Sequence, residues 1–477
     1  MSGWVSVGEW LILGYFIILH FVYIGLNFVA YASITRSRLR RFGALTAVDP
    51  AFMPPVTLIV PAYNEEGGIV ASVKSILQLT YPTFEVVVVN DGSTDGTLDR
   101  LHEAFALAEY GEAYRDRVPT APVRRFMISR TYPAVRVVDK ENGGKADAVN
   151  AAVNVARYPL FCTIDADSVL QRDSIQRVVQ PFLDDGSVIA SGGTIRVINE
   201  SVIREGFLEQ LAMPSKMLVR FQVVEYLRAF LFGRLGWSAF NGLLVLSGAF
   251  GMFRKETVIA AGGFRTDTLG EDMEMVVRLH RIMREAKRKY RVAYIPDPIV
   301  FTEAPENLRT LGRQRIRWQR GLGESLRMNR GLAFRGFPGW VSYPFNLLFE
   351  MYGSFVEVLG YLITAVAFAT GTISLSAFFA FLLVSFGLGL AFSASAVVLE
   401  ELSFHVYPRR SDLLALMGAA VLENFGYRQA NAWWRLIGVI RHVRGAEASW
   451  GVMTRRGIAS SGDAYTRSGE SPTGVHT

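Results

Sequence analysis

Asp165 and Asp167 stand one residue apart, directly after the apolar run 160–164. Two carboxylates that close repel each other unless a cation sits between them. Hard oxygen ligands suit Mg²⁺ or Mn²⁺ held jointly with the phosphates of a substrate, where the ion neutralises a departing diphosphate. Lys145, in Asn142-Gly143-Gly144-Lys145, sits upstream in a Gly-rich turn and can donate to the same phosphates. Its spacing is not that of the Gly-x-x-x-x-Gly-Lys-Ser/Thr loop of nucleotide hydrolases. Asp91, in Asn90-Asp91-Gly92-Ser93, can accept hydrogen bonds from a nucleotide base or ribose at a sheet edge. Asp272, in Gly270-Glu271-Asp272, can serve as general base for an acceptor hydroxyl attacking a sugar carbon. One base, one metal and no nucleophilic carboxylate opposite fit a single displacement, which inverts the anomeric centre. Hydrolysis would call for two facing carboxylates. In Gln314-Arg315-Ile316-Arg317-Trp318 an aromatic plane with flanking donors can stack on a sugar face, and Arg317 can pair with a pyrophosphate.

Each motif also has a plainer reading. Asn, Asp, Gly and Ser belong in any strand-to-helix loop, Asp272 can be a helix N-cap, Lys145 can be a solvated side chain at a helix start, and Trp318 can anchor a helix at a lipid interface. What raises them is position. The runs 56–60 and 86–89 are nearly all apolar, as central parallel strands buried on both faces are. Between them Ile69, Val73, Ile76 and Leu77 carry helical spacing, stopped by Tyr81-Pro82. A strand at 135–138, a helix at 145–156 and the strand at 160–164 continue the alternation. The pattern predicts a doubly wound, mostly parallel α/β domain whose ligand lies at the carboxyl ends of the strands, which is where the motifs fall.

Half of the 477 residues are hydrophobic and 19% are charged, too apolar a balance for a soluble enzyme of this size. The excess lies at the two ends of the chain. Residues 10–31 are long enough to cross a hydrocarbon core as a helix, and Arg36, Arg38, Arg40 and Arg41 follow. That order predicts an extracytoplasmic N-terminus and a cytoplasmic catalytic domain, and it is the reverse of a signal peptide. Residues 309–330 read as a basic amphipathic interface helix, and 343–370 and 374–399 as spans. Segment 413–440 holds Glu423, Asn424, Arg428 and Gln429, costly in lipid, so it reads as a re-entrant or interfacial hairpin, with a third C-terminal span as the alternative. The net charge of +7 gathers beside apolar runs, which fits anionic headgroups rather than nucleic acid. Cys162, the single cysteine, reads as a small buried core residue, and the tail from Ser460 as disordered.

Taken in order, Pro-Ala-Tyr-Asn-Glu (61–65), Asp-Gly-Ser (91–93), Asn-Gly-Gly-Lys-Ala-Asp-Ala-Val-Asn (142–150), Asp-Ala-Asp (165–167), Ser-Gly-Ala-Phe (247–250), Gly-Glu-Asp (270–272) and Gln-x-x-Arg-Trp (314–318) resemble the processive family 2 glycosyltransferases. That family includes cellulose, chitin, hyaluronan and poly-N-acetylglucosamine synthases, and the Asn-Gly-Gly-Lys-Ala form looks closest to the last. The resemblance covers about residues 55–325. It implies a GT-A-type fold in 51–305, after a first membrane helix and basic linker in 1–50. It also implies an interface helix in 306–340, a membrane region in 341–445 and a cytoplasmic tail in 446–477.

By resemblance, Ala62, Tyr63, Glu65, Asp91, Lys145, Asp165, Gln314, Arg317 and Trp318 would hold a UDP-sugar. Asp165 and Asp167 would take Mg²⁺ or Mn²⁺, and Asp272 would be the base. Ser247, Gly248, Ala249, Glu271 and Trp318 would meet the acceptor. The chain departs from the pattern at Gly270, where Thr is common, and in an apparent insertion at 110–132. No cytosolic c-di-GMP-binding barrel is read after the membrane region, which sets it apart from bacterial cellulose synthases. The expected activity is inverting transfer, best from UDP-N-acetylglucosamine, to a growing β-linked polysaccharide at the inner (plasma) membrane, with help in its translocation. The partners are the donor, the nascent polymer and the bilayer; any accessory membrane subunit is unknown. Two alternatives stand beside it: transfer of a single sugar to a lipid carrier, and an inactive α/β domain serving a transporter or scaffold.

Overall fold

The computed structural model describes residues 2–44, 50–204, 206–372, 374–407 and 409–445. The linker 45–49 and the tail 446–477 lie outside the described residues.

The centre of the chain folds as an α/β domain on a ten-stranded mixed sheet. Its twelve strands, two of them in a separate small hairpin, are β1 (Val56–Ala62), β2 (Phe84–Asp91), β3 (Leu107–Tyr110), β4 (Val123–Ser129), β5 (Val135–Lys140), β6 (Leu160–Ile164), β7 (Val169–Leu170), β8 (Val188–Val197), β9 (Val202–Arg204), β10 (Phe207–Gln210), β11 (Phe250–Arg254) and β12 (Arg291–Thr302). The sheet order is β3-β4-β5-β2-β1-β6-β11-β8-β12-β7. Strands β5, β2, β1 and β6 run parallel. Val56, Leu58, Ile59, Val60 and Val86 to Val89 are wholly buried, as the apolar runs require. Helices Ile69–Leu77 and Lys145–Val155 are the crossovers. Antiparallel β11 inserts between β6 and β8, and the parallel pair β8–β12 extends the far side. Pro296 and Pro298 remove ladder donors from β12, and its register shifts between Ile295 and Pro298.

The apparent insertion at 110–132 contributes β4, which pairs antiparallel with β3 and β5 and so lengthens one edge of the sheet. Cys162 is buried in β6 with a free thiol.

Helix Ser2–Ala44 contains a 25-residue stretch, Ile12–Arg36, long and apolar enough to cross a membrane. Phe386–Ser403, within helix Leu375–Ser403, is a second. Segments Pro338–Met351 and Gly353–Ala369 meet at a 41° bend and together are long enough for a third. Residues 413–440 fall in two helices, Arg410–Leu422 and Tyr427–Val443, separated by Gly426 at φ 96°. Glu423, at that break, is fully buried and paired with Arg228 at 2.6 Å. The basic helix Leu308–Met328 packs against helix Glu271–Glu285 and against Tyr427–Val443, burying Leu311, Gln314, Arg315 and Gln319. Arg309, Arg313 and Arg327 remain exposed.

Candidate functional site

A single cavity of about 1090 Å³ lies at the carboxyl ends of the parallel strands. Every residue singled out above as a site candidate lines it. Ala62 and Tyr63 come from the end of β1, Asp91 from the end of β2, Asp165 and Asp167 from the turn after β6, and Ser247, Gly248 and Ala249 from the turn into β11. Glu271 and Asp272 open helix Glu271–Glu285, and Gln314, Arg317 and Trp318 lie on the basic helix.

The loops after β1 and β2 are clipped together. Asn64 adopts φ 55° and its Oδ1 accepts from Thr94 N at 2.8 Å, while Glu65 N donates to Thr97 Oγ1 at 2.8 Å. Tyr63 is half exposed at the cavity mouth.

Asp91 is braced from within the protein. Its carboxylate accepts from Lys140 Nζ at 2.7 Å, Gly143 N at 3.0 Å and Gly144 N at 2.8 Å. The last two amides open helix Lys145–Val155, so Asp91 supplies the negative charge that a helix N-terminus favours. Lys140 is fully buried and also pairs with Asp147 at 2.6 Å, and Asp147 accepts from Ala121 N at 3.0 Å. Gly92, at φ 67°, lets the two turns meet: a Cβ there would lie 2.7 Å from Asn142 N. Nothing in the local sequence marks Lys140 as buried. Its importance appears only when β5 is placed beside β2.

Lys145 reaches across the cavity floor. Its Nζ pairs with Asp165, donates to Gly248 O at 3.2 Å and lies 3.9 Å from Glu271 Oε1. Burial opposes its charge, but Asp165 and Glu271 outweigh burial and hold its pKa above the ordinary lysine value. Asp272 accepts from Gly248 N at 2.9 Å through Oδ2 and from Met273 N at 2.8 Å through Oδ1. Base candidate and acceptor-side loop are thereby fixed to one another. Gln314 is buried, and its Oε1 has no hydrogen-bond partner among the described residues. Arg315 is buried in an ion pair with Glu225 at 2.8 Å, and its guanidinium lies 4.5 Å from the centre of the Trp318 ring. Trp318 is thus held face-on by a fixed cation and edged by Phe230. Glu225 and Phe230 also line the cavity, and no motif in their surroundings announces it.

Glu271 is 8% exposed, and its carboxyl pKa is pushed up to about 7, first by burial and then by Asp272, against the pull of Lys145. From its ordinary 4.5 to about 7 the native protein therefore holds a proton that the unfolded chain has released. The burden of this group grows with pH across that window, so it lowers stability as pH rises from 4.5 to 7. Glu271→Gln is expected to flatten that part of the profile. Thermal unfolding of parent and variant at a series of pH values checks it, and parallel profiles would contradict the assignment.

The cavity does not end at the sheet. Tyr23 of the first helix, Phe345 and Asn346 before the bend, and Asn431 and Arg435 of helix Tyr427–Val443 continue its wall. Arg435 is itself tied to Gln319 at 2.9 Å. Space above the strand ends thus opens toward the apolar helices.

Known proteins resemble this chain in sequence and in fold. A family model described as glycosyl transferase family 2 matches residues 57–256, and another described as glycosyl transferase family group 2 matches 160–394. The chain is 27% identical over 273 residues to a poly-β-1,6-N-acetyl-D-glucosamine synthase of Staphylococcus aureus, covering 57% of this chain and 55% of that protein. A synthase of the same name from Staphylococcus epidermidis is 26% identical over 272 residues, 57% of this chain and 55% of that one. The chain thus spans about half the length of the curated relatives it matches. Among solved structures, a mannosyltransferase of Pyrobaculum calidifontis, in complex with GDP-Man and Mn²⁺, superposes with a TM-score of 0.51 at 19% identity. That match covers 91% of this chain and all of that one, and it bears on the fold. The sheet from Val56 onward, the strand-end motifs and the basic helix lie in or at the edge of residues 57–394, the stretch that the two family models match, and by that match the chain is a glycosyltransferase similar to those of family 2.

Proposed function

We propose that this protein transfers a sugar from a UDP-sugar, with N-acetylglucosamine the best candidate, to the end of a growing β-linked polysaccharide. The observation that carries the reading is the single cavity. It joins a phosphate-directed lysine and paired aspartates on the sheet side to a tethered carboxylate and a presented tryptophan on the acceptor side, and then opens toward apolar helices.

Asp165 and Asp167 are the residues that would hold a divalent cation. Among the described residues no group of three or more His, Cys, Asp or Glu side chains is placed to hold an ion alone. Two carboxylates with open cavity beside them match an ion completed by substrate phosphate oxygens. When bound, Mg²⁺ or Mn²⁺ supplies charge neutralisation at the diphosphate. Lys145 adds a fixed positive charge on the same side, and Arg317 a bidentate donor from the basic helix. Trp318 offers its ring to the acceptor sugar. Asp272 takes the proton from the acceptor hydroxyl as its oxygen attacks the anomeric carbon, and the UDP oxygen leaves from the opposite face. One displacement of that kind converts an α-linked donor into a β-linked product. In the reading of the membrane parts, Ile12–Arg36 crosses with the N-terminus outside and the sheet domain in the cytoplasm, and the later apolar helices form the exit for the polymer.

Membranes carrying the protein are expected to release UDP from UDP-N-acetylglucosamine in the presence of Mn²⁺ or Mg²⁺. EDTA should reduce that release to background and added Mn²⁺ should restore it. Release that persists undiminished in EDTA would remove the metal from the account. Release from none of UDP-glucose, UDP-glucuronate and UDP-N-acetylglucosamine, in folded protein, would overturn the assignment as a whole.

A further inference from the structure

The basic helix Leu308–Met328 presents Gln314, Arg317 and Trp318 to the cavity, and about two turns beyond them it grips the loop that presents Glu271 and Asp272. The grip centres on Glu324, which is buried and does not line the cavity. Its Oε2 accepts from Leu269 N at 2.9 Å and from Thr268 Oγ1 at 3.0 Å, and its Oε1 accepts from Arg320 Nε at 2.7 Å. Thr268 Oγ1 in turn accepts from Gly270 N at 3.2 Å. Beside this carboxylate the two backbones touch. A Cβ on Gly321 would lie 2.9 Å from Gly270 N, and one on Gly270 would lie 3.0 Å from Gly321 Cα. A side chain at 270 would have to push the two backbones apart by a few tenths of an ångström. One turn further, Asn329 Nδ2 donates to Glu274 Oε1 at 3.1 Å.

We propose that Glu324 is a positioning residue for transfer: through Leu269 and Thr268 it sets Asp272 against the helix that holds donor and acceptor, so that base and substrate contacts keep one geometry. The proposal rests on the reading of Asp272 as the base. A buried carboxylate that takes a backbone amide, a hydroxyl and a guanidinium fixes the loop from three directions. Without it Leu269 N loses its acceptor in a buried site, and the first turn of helix Glu271–Glu285 gains freedom to shift.

The test compares the full-length parent with Glu324→Ala and Glu324→Gln in detergent, following UDP release from UDP-N-acetylglucosamine, UDP binding, and hydrogen exchange of residues 268–273. Glu324→Ala is expected to lower kcat about 100-fold, the cost of a displacement near 1 Å. Its KM and UDP affinity should stay within about threefold of the parent, because the donor contacts are untouched. Exchange at Leu269 should quicken about tenfold, the loss of one net hydrogen bond, while residues 160–167 keep their protection. Glu324→Gln is expected to recover most of kcat, since its amide oxygen can still accept from Leu269 and Thr268. A kcat within about twofold of the parent, unchanged exchange at 268–273, or a joint collapse of kcat, UDP affinity and Gln rescue would each overturn the proposal. If the parent releases UDP from none of UDP-glucose, UDP-glucuronate and UDP-N-acetylglucosamine, the reading of Asp272 fails, and the exchange comparison alone still decides whether Glu324 holds the loop.

Discussion

Asp272→Asn is expected to fold, to bind UDP and to lose transfer by about 10²–10⁴-fold, the range that a positioned general base supplies. The geometry makes this substitution informative. Asn keeps one acceptor oxygen for Gly248 N, so the turn that carries Ser247 and Gly248 can stay where it is, while the bond from Met273 N and the ability to take a proton are lost. Lys145 and the carboxylates of the β6 turn are not touched by the change, so donor affinity should survive. UDP release and UDP binding measured on the same preparation separate the two functions. Turnover close to the parent would remove Asp272 from its role, and the nearest remaining carboxylate on that turn of helix would be Glu271.

Lys140→Met is expected to act on stability rather than chemistry. Its ammonium is the buried countercharge for Asp91 and Asp147 together, at 2.7 and 2.6 Å. Removing one partner of such a group while leaving the others buried costs about 3–5 kcal/mol. In a domain of this size that corresponds to a Tm lower by roughly 10 °C. The loss should also reach the site, because Asp91 holds the amides of Gly143 and Gly144 that start the helix bearing Lys145. Thermal unfolding and UDP titration of the variant check both effects. A Tm unchanged within a degree or so would mean that the three side chains do not act as a charge-balanced unit.

Sequence patterning revealed the parts of the fold that are buried on both faces. Strands β1, β2 and β6 are wholly or almost wholly apolar runs because helices cover them above and below, and β6 ends at the residues where its apolar run ends. Strand β4 escaped the same reading. It lies near the sheet edge, exposes the adjacent Arg124 and Arg125 while burying only Met127 and Ser129, and pairs Arg125 with Glu109 and Asp139, so its residues resemble a polar insertion. Strand β8 was hidden for another reason: Gly192 and Gly193 interrupt its apolar pattern because the side chains of Leu246 and Ile299 press against them. The polar centre of 413–440 was read as costly in lipid. The answer to that cost, Arg228 on Glu423, comes from a residue 195 positions away.

The site was legible to a different degree. Five of the seven motifs marked the end of a strand or the start of a helix, and the strand ends of an α/β sheet converge by topology, so a ligand site at those ends was expected, whereas Ser247–Phe250 leads into a strand and Gln314–Trp318 lies within a helix. What order could not convey was which way each carboxylate would turn. Asp91 was read as a nucleotide contact. It lines the cavity, but its oxygens also receive Lys140, Gly143 and Gly144, bonds fixed by the pairing of β2 with β5. The basic helix was read from its charge as an interfacial element. Its buried face packs on helix Glu271–Glu285 and carries Glu324, a residue with no motif of its own.

Product size decides between transfer to a growing polymer and transfer of a single sugar. Membranes carrying the protein would be given radiolabelled UDP-N-acetylglucosamine with Mn²⁺, and the products separated by size and by extraction into organic solvent. Label is expected in a high-mass, water-phase polymer that a β-specific hexosaminidase degrades, and none of it from Asp272→Asn. Label confined to a lipid carrying a single sugar, or to free N-acetylglucosamine, would contradict transfer to a growing polymer.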